Sequence, residues 1–261
     1  MFSLSDIQNN KATCLSYTSN LTLRRPLQEV ITQAHTLCPE LKEFVTQNLH
    51  KFNSTKKKDK GNLGKVVEFY LFGQLPNCDA NPDLGWGADI KATHLKVLKS
   101  GHYNAKERLT ITNCGKTEDY STFDDVSSAS SLKTCKYYPK IQKGVLCVFE
   151  HCATSDKYSD PEQNLTKRLL DICVYDTDTF PEDIQFQLQQ DFCDIQDKIL
   201  NQTVSQKGQQ FLHIHPHGSK DSTTRAFGFT NKFLTSLIAY CSSIPITTKG
   251  RSSYIEKQYY T

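Results

Sequence analysis

Two acids and a lysine stand close together in the segment "NPDLGWGADIKATHL", residues 81–95. Asp89 and Lys91 fall on a predicted β-strand, and because side chains alternate between the two faces of a strand, both would point the same way. Carboxylates that hold one or two Mg²⁺ ions can activate water and stabilise the leaving oxygen of a phosphodiester, while a lysine can orient that water. Asp83, Asp89 and Lys91 therefore form a candidate set for phosphodiester hydrolysis.

Two neighbouring groups can extend this set. The backbone carbonyl of Ile90 lies between Asp89 and Lys91 and can serve as a further metal ligand, and Glu68 lies on the predicted helix just before. The spacing D-x5-D-x-K is short and occurs by chance in many proteins. Taken alone, it fits a surface strand with an ordinary ion pair more simply than it fits an active site.

A second polar cluster, "HIHPH", places His213, His215 and His217 at alternate positions. In an unbroken strand the three rings would share one face, as in a transition-metal site. Pro216 interrupts the strand, however, and no group of acids or cysteines lies close in sequence. We favour a loop that contacts DNA, because histidine, lysine and arginine can donate hydrogen bonds to base edges or phosphates. A polar surface loop is the plain alternative.

Hydrophobic periodicity and the Gly and Pro positions predict the elements that must position these groups. Helices are predicted over "PLQEVITQAHTLCPELKEFVTQNLH" with a restart at Pro39, over "GNLGKVVEFYLFG" ending at Gly73, over the segment that begins at Pro181, and over "NKFLTSLIAYC". Strands are predicted at 87–93, 108–112, 144–149 and 169–176, and in "QQFLHIHP" and "RAFGFT". The pattern predicts one mixed α/β domain over residues 1–261, with a cleft.

Composition excludes several classes of protein. Apolar residues make up 37% and charged residues 23% of the chain, as in ordinary globular proteins, and no apolar run approaches the roughly 18 residues that would span a membrane. The first residues, "MFSLSDIQNN", do not resemble a secretory signal. The 10 cysteines contain no CxxC pair, so we expect reduced core thiols in a cytoplasmic protein rather than a disulfide or zinc framework.

The net charge of +3 is small, but residues 51–65 hold six lysines and one acid. Such a run is commonly a solvated loop. It also suits an arm that contacts phosphates, since lysines beside a glycine-opened helix favour an anionic backbone.

Five segments in chain order resemble the PD-(D/E)xK nucleases, and in particular the MutH-like and GATC-cutting type II restriction endonucleases. They are "DKGNLGKVVEFYLFG" (59–73), "PDLGWGADIKAT" (82–93), "AKERLTIT" (105–112), "YYPKIQKGVLCVF" (137–149) and "LHIHPHGSKDSTTRAFGFTNKFLTSLI" (212–238). An ordered set of five is more specific than the acid and lysine spacing. It therefore favours the nuclease interpretation over the surface ion pair.

The resemblance implies a restriction-endonuclease-like mixed β-sheet flanked by helices, with a cleft around DNA. It implies a catalytic half at about 26–150 and a recognition half at about 165–245. The implied catalytic residues are Glu68, Asp83, Asp89 and Lys91, with Lys140 as an auxiliary lysine, and the implied metal ligands are Glu68, Asp83, Asp89 and the Ile90 carbonyl. The implied DNA contacts are Lys60, Gly61, Glu107, His215, His217, Lys220 and Arg225.

The sequence departs from the family at several of these places. The second acid is Asp89, where the family more often has glutamate, and the gap between Asp83 and Asp89 is one residue shorter. His215 and His217 replace an arginine and a lysine of the recognition loop, and Gly228 replaces a tyrosine that senses adenine methylation.

The function implied is a sequence-specific endonuclease that cuts double-stranded DNA at GATC or a related short site, with Mg²⁺ replaceable by Mn²⁺. A homodimer, or a monomer that nicks each strand in turn, is expected, and a cognate DNA methyltransferase can belong to the same system. Two alternatives stay open. One is a MutH-like mismatch-repair nicking enzyme that partner proteins activate, and the other is a catalytically inactive DNA-binding module.

Overall fold

A computed structural model describes residues 1–54, 61–75, 81–151, 164–204, 206–219, 221–249 and 252–260. The α-helices described from end to end are α1 (Leu4–Asn9), α2 (Lys11–Ser19), α3 (Leu27–Leu37), α4 (Pro39–Ser54), α5 (Asn62–Phe72), α6 (Asp124–Ser127), α7 (Tyr138–Gln142), α8 (Glu182–Leu200) and α9 (Asn231–Cys241). The strands are β1 (Arg25–Pro26), β2 (Asp89–Val97), β3 (Tyr103–Ala105), β4 (Leu109–Lys116), β5 (Lys143–Glu150), β6 (Arg168–Asp176), β7 (Leu212–Pro216), β8 (Thr224–Phe229), β9 (Ile246–Lys249) and β10 (Ser252–Ile255).

Two sheets organise these strands. The larger has seven strands in the order β1-β6-β5-β2-β3-β10-β9, and the smaller has three in the order β4-β8-β7. Strands β2 and β5 run parallel, whereas β4, β8 and β7 are antiparallel. With helices flanking the sheets, this architecture confirms the predicted mixed α/β class and is consistent with a restriction-endonuclease-like fold.

The chain forms two compact units, each made of separate stretches of sequence. The first unit comprises Met1–Tyr103, Gly144–Tyr175 and Glu256–Thr261, and the second comprises Asn104–Lys143 and Asp176–Ile255. The division into a catalytic half and a recognition half, which the sequence places at about 150–165, stays a prediction.

The core of the first unit lies between α1–α5 and the strands β2, β5 and β6. Strand β5 is buried from Gly144 to Phe149, as expected for a continuous apolar run in the middle of a sheet. Helix α5 buries one face, where Phe69 stacks on Phe52 with ring centroids 4.4 Å apart. It ends at Gly73, whose φ of 63° is the left-handed conformation that favours glycine.

The second unit is built on the smaller sheet. Helix α8 buries Asp191, whose carboxylate accepts the backbone N–H groups of Gln210, Phe211 and Leu212 at 2.9, 2.6 and 2.9 Å. Three amides on one carboxylate hold the first residue of β7 against the helix, because a buried charge needs such partners. This anchor fixes the strand that carries the histidines.

Most predicted elements are confirmed within a few residues, including the helix restart at Pro39 and the end of α5 at Gly73. The sequence did not reveal α1, α2, β1, β3 or the β9–β10 hairpin. Eight of the cysteines lie in the described ranges and all eight are free thiols. Within the same ranges, no helix is long and apolar enough to cross a membrane.

Candidate active site

The acidic cluster is built by α5 and the start of β2, both in the first unit. Glu68 lies on α5, Asp83 lies in the loop before β2, and Asp89 and Lys91 lie in the first three residues of the strand. The Asp83 Oδ2 atom accepts the Ile90 backbone N–H at 2.8 Å. This bond ties the first acid to the strand that carries the second.

Asp89 and Lys91 lie on one face of β2, as strand alternation predicts, and the Lys91 Nζ atom donates to Asp89 Oδ2. The same ammonium group lies 3.5 Å from the Ile90 carbonyl oxygen. Asp89 is fully buried (0% exposed) and Lys91 is only partly exposed. The pair is therefore not the exposed surface ion pair that the spacing alone would favour.

The carboxylates are close enough to shift each other's protonation. Burial, followed by the negative charge of Asp83, raises the pKa of Glu68 from 4.5 to about 7, although Lys91 opposes the shift. Burial, followed by the charge of Asp89, also raises the pKa of Asp83, against the lowering effect of the Ile90 N–H. The raised pKa values of the half-buried Glu68 and Asp83 indicate that this cluster favours an added proton or cation.

The loop before β2 owes its shape to its glycines and its apolar residues. The Leu84 N–H bonds to the Ala88 carbonyl at 2.9 Å, and the Gly87 N–H bonds to the Leu84 carbonyl at 2.8 Å. Gly87 has φ of 89°, which few other residues adopt without strain. Leu84 and Ala88 are buried, so the turn is held against the core while Asp83 and Asp89 stand at its two ends.

The donor atoms of this cluster fit Mg²⁺. In the described part of the chain, no three His, Cys, Asp or Glu side chains form a ready-made metal site. Mg²⁺ does not need one, since it commonly takes one or two carboxylates and completes its octahedron with water and substrate oxygens. Asp83, Asp89 and the Ile90 carbonyl provide only oxygen ligands, and a cation there would relieve the repulsion that raises the pKa of Asp83.

Except for Gly61, the other implied site residues lie in the second unit or outside the described residues. Lys140 lies on α7 and is half-buried, and Glu107 is exposed just before β4. Gly61 is exposed at the N-terminus of α5, in the first unit. Lys60 and Lys220 lie outside the described residues.

The histidines of β7 differ in their surroundings. His215 is 3% exposed, and its Nε2 lies 3.0 Å from the Thr110 Oγ1 of β4. His217 follows the strand, is exposed, and places Nδ1 2.7 Å from the Asn113 Oδ1. Burial lowers the pKa of His213 to about 4 and that of His215 to about 3, so both rings are neutral at neutral pH.

Arg225 and Gly228 are constrained by the sheet itself. Arg225 is buried, and its Nη1 donates to the carbonyls of Ser222, Thr223 and Thr224, each at 3.1 Å. A Cβ at Gly228 would lie 2.4 Å from the Leu109 oxygen and 2.6 Å from the His215 ring, so β8 leaves no room for a side chain there. Thr110 and Asn113 were missed because they lie more than about 100 positions away in sequence from the histidines that they contact.

We compared the chain with known protein families and with known proteins. No family model matches the sequence. The type II restriction enzyme Sau3AI of Staphylococcus aureus is 32% identical over 103 residues, which is 37% of this chain and 21% of that enzyme. The chain thus spans about a fifth of the length of this relative. The similarity supports a relationship to the restriction endonucleases.

Proposed function

We propose that this chain is a Mg²⁺-dependent, sequence-specific endonuclease that cuts double-stranded DNA, as type II restriction enzymes do. The observation that carries the proposal is the convergence of Glu68, Asp83, Asp89 and Lys91 at the buried start of β2. The partial similarity to a type II restriction enzyme supports the same class.

Asp83, Asp89 and the Ile90 carbonyl would hold the metal, because all three are oxygen donors at the ends of one tight turn. A bound Mg²⁺ supplies positive charge that stabilises the phosphate as its charge rises in the transition state.

Lys91 would orient the attacking water and balance negative charge on the phosphate, since its ammonium group is only partly exposed and is fixed by Asp89. Glu68, with a pKa near 7, is suited to accept the proton that the water loses. In the reaction one P–O bond forms to the water oxygen, and the P–O bond to the leaving deoxyribose oxygen breaks. Lys140 would assist in the same step.

The DNA contacts are proposed on the resemblance, and among them Gly61, Glu107 and His217 are exposed. Gly61, at the N-terminus of α5, and Lys60, which precedes it in the sequence, would hold a phosphate near the scissile bond. The loop after β7 would enter a groove, with His217 exposed at its start. The implied base or phosphate contacts are Glu107, His215, His217, Lys220 and Arg225, and the implied site is GATC or a related short sequence.

Digestion of a plasmid that contains GATC sites by the purified protein, with Mg²⁺ and no other protein, tests this proposal. Double-strand cuts at one repeated sequence, read by sequencing the cut ends, are expected. Nicks that require added partner proteins would instead indicate a MutH-like repair enzyme. Retention of DNA without any cutting would indicate a binding module and would overturn the proposed activity.

A further inference from the structure

Helix α1 is anchored in the helical layer of the first unit. The Leu4 N–H donates to the Glu40 carboxylate at 2.8 Å, and the Phe2 N–H donates to the Leu37 carbonyl at 2.9 Å. Ile7 is fully buried beneath the helix. These contacts fix α1 to the junction between α3 and α4, so it can act as a rigid support for whatever it touches.

The side chain of Gln8 on α1 hydrogen-bonds to the end of α5. Its Nε2 donates to the carbonyl oxygens of Phe72 and Gly73, at 2.9 and 3.1 Å. The last carbonyls of a helix have no partner within the helix, so an amide donor there satisfies groups that would otherwise need water. The Gly73 N–H in turn bonds to the carbonyl of Glu68, one turn back in the helix. Gln8 therefore holds the turn that carries Glu68.

The backbone of Gln8 holds the other half of the cluster. Its carbonyl oxygen accepts the Gly85 N–H at 2.9 Å, in the loop that joins Asp83 to β2. The approach is close, because a Cβ at Gly85 would lie 2.1 Å from the Asn9 Oδ1. A side chain at Gly85 would therefore require the Asn9 side chain to move.

We infer that Gln8 is a positioning residue for the candidate active site, an inference that rests on the proposed function. It is bonded both to the end of the helix that carries Glu68 and to the loop that carries Asp83. Through Gln8, one rigid helix sets the placement of these two acids relative to each other. Hydrolysis depends on that placement, since a misplacement of about 1 Å at a reacting group can cost about a hundredfold in rate.

Gln8→Met tests this role, because methionine keeps the length and volume of the side chain but removes its hydrogen bonds to the Phe72 and Gly73 carbonyls. Gln33→Met is a matched control. Gln33 is also half-buried in the first unit and also bonds two backbone groups, the Thr22 N–H at 2.6 Å and the Asn20 carbonyl at 2.9 Å. Those groups belong to the connection between α2 and β1, so loss of the two bonds there is purely structural.

Two readouts separate positioning from general damage. The first is single-turnover cleavage of a duplex at saturating Mg²⁺, with the dissociation constant of the same duplex measured separately. We expect Gln8→Met to slow cleavage by about ten- to a hundredfold while the dissociation constant changes less than about threefold. Gln33→Met should cut as the wild type does. Equal cleavage by the two variants would overturn the inference.

The second readout is amide hydrogen exchange at Gly85 and Ile90, which needs no enzymatic activity. The Ile90 N–H bonds to Asp83, so its protection reports whether the loop is held in place. Gln8→Met should exchange at least about fivefold faster than Gln33→Met at both amides. If the wild type cuts no DNA, the proposed function fails, and this exchange comparison alone decides the role of Gln8. Equal exchange in the two variants would refute that role.

Discussion

The acidic cluster of the first unit and the histidine strand of the second, β7, differ in their electrostatics. In the cluster, partial burial and the nearby charge of Asp83 raise the pKa of Glu68 to about 7. On β7, His215 is buried beside Thr110. On the neighbouring β8, Arg225 donates to three backbone carbonyls. The first arrangement brings like charges together, whereas the second keeps its histidine rings uncharged.

This difference leads us to expect that the acidic cluster carries the chemistry and that the buried part of the histidine strand is structural. A group of like charges costs stability unless a ligand or proton relieves it, so its retention suggests a functional site. A buried histidine with a threonine partner and a lowered pKa is also what a well-packed sheet contains. Of the candidate base-reading residues in the described loop, His217 is the one whose ring is exposed.

The largest expected effect is at the cluster. Asp83→Asn or Lys91→Ala should reduce single-turnover cleavage by at least about a thousandfold, about 4 kcal/mol of transition-state stabilisation. Specific DNA binding should be largely kept, because these groups serve the reaction and not base reading. The exposed Lys116→Ala, in the second unit, is a suitable control and should cut normally. If Lys91→Ala cut within about tenfold of the wild type, about 1.4 kcal/mol, the role of the lysine would be wrong.

Contacts that are local in sequence could be predicted from it, and long-range contacts could not. The segment from Asp83 to Lys91 is local, so alternation on one strand was enough to place Asp89 and Lys91 together. Helices such as α5 were readable because their apolar periodicity and their terminal glycine agree. The support from Gln8 and the pairing of His215 with Thr110 were not readable, because residues 64 and 105 positions apart form those contacts.

Glu68→Gln should lower the cleavage rate and raise the free energy of unfolding. The gain in the free energy of unfolding should be larger at high pH than at low pH. The unfolded chain releases this proton near pH 4.5 and the folded protein near pH 7, so ionisation destabilises the fold as pH rises through that window. Removing the charge should add about 1–3 kcal/mol to the free energy of unfolding at pH 8 and little at pH 4.5, as measured by urea denaturation. Cleavage should fall by about a hundredfold or more.

A matched control is Glu43→Gln, which changes an exposed glutamate on α4 of the same unit. We expect it to alter neither stability by more than about 0.5 kcal/mol nor cleavage. A Glu68→Gln variant less stable than the wild type at pH 8 would show that this carboxylate is not under electrostatic stress.

On the histidine strand, smaller and selective effects are expected. His217→Ala and His215→Ala should weaken binding to the cognate duplex by about 1–3 kcal/mol and affect a scrambled duplex much less. Thr110→Val separates direct from indirect effects at His215, since it removes only the partner of the ring. Equal losses on both duplexes for both histidine variants would remove this strand from base recognition.

The same titrations repeated between pH 6 and 8 sharpen the result. His213 and His215 stay neutral in this range because burial lowers the pKa of each well below it. We therefore expect any pH dependence of specific binding in this range to persist in His215→Ala. A pH dependence abolished by His215→Ala would contradict the neutral assignment.

The smallest expected effect concerns adenine methylation. In the resemblance to the MutH-like enzymes, Gly228 falls on the position of a methylation-sensing tyrosine, and its neighbours leave no room for a side chain. Without such a sensor, a GATC duplex with methylated adenines should be cut within about twofold of the unmodified duplex, a difference near 0.4 kcal/mol. A cleavage rate at least about tenfold lower on methylated DNA would show that other residues sense the methyl group.

Metal dependence tests the central claim most directly, because it addresses the proposed role of Asp83 and Asp89 as oxygen ligands of Mg²⁺. The measurement is single-turnover cleavage of one duplex by the wild type in EDTA, Mg²⁺, Mn²⁺ and Ca²⁺, with DNA binding followed in parallel. We predict cutting in Mg²⁺ and Mn²⁺ and none in EDTA or Ca²⁺, with binding kept in Ca²⁺, whose looser and longer coordination does not suit the reaction. Full activity in EDTA, or no cutting of GATC-containing DNA in Mg²⁺, would contradict the account.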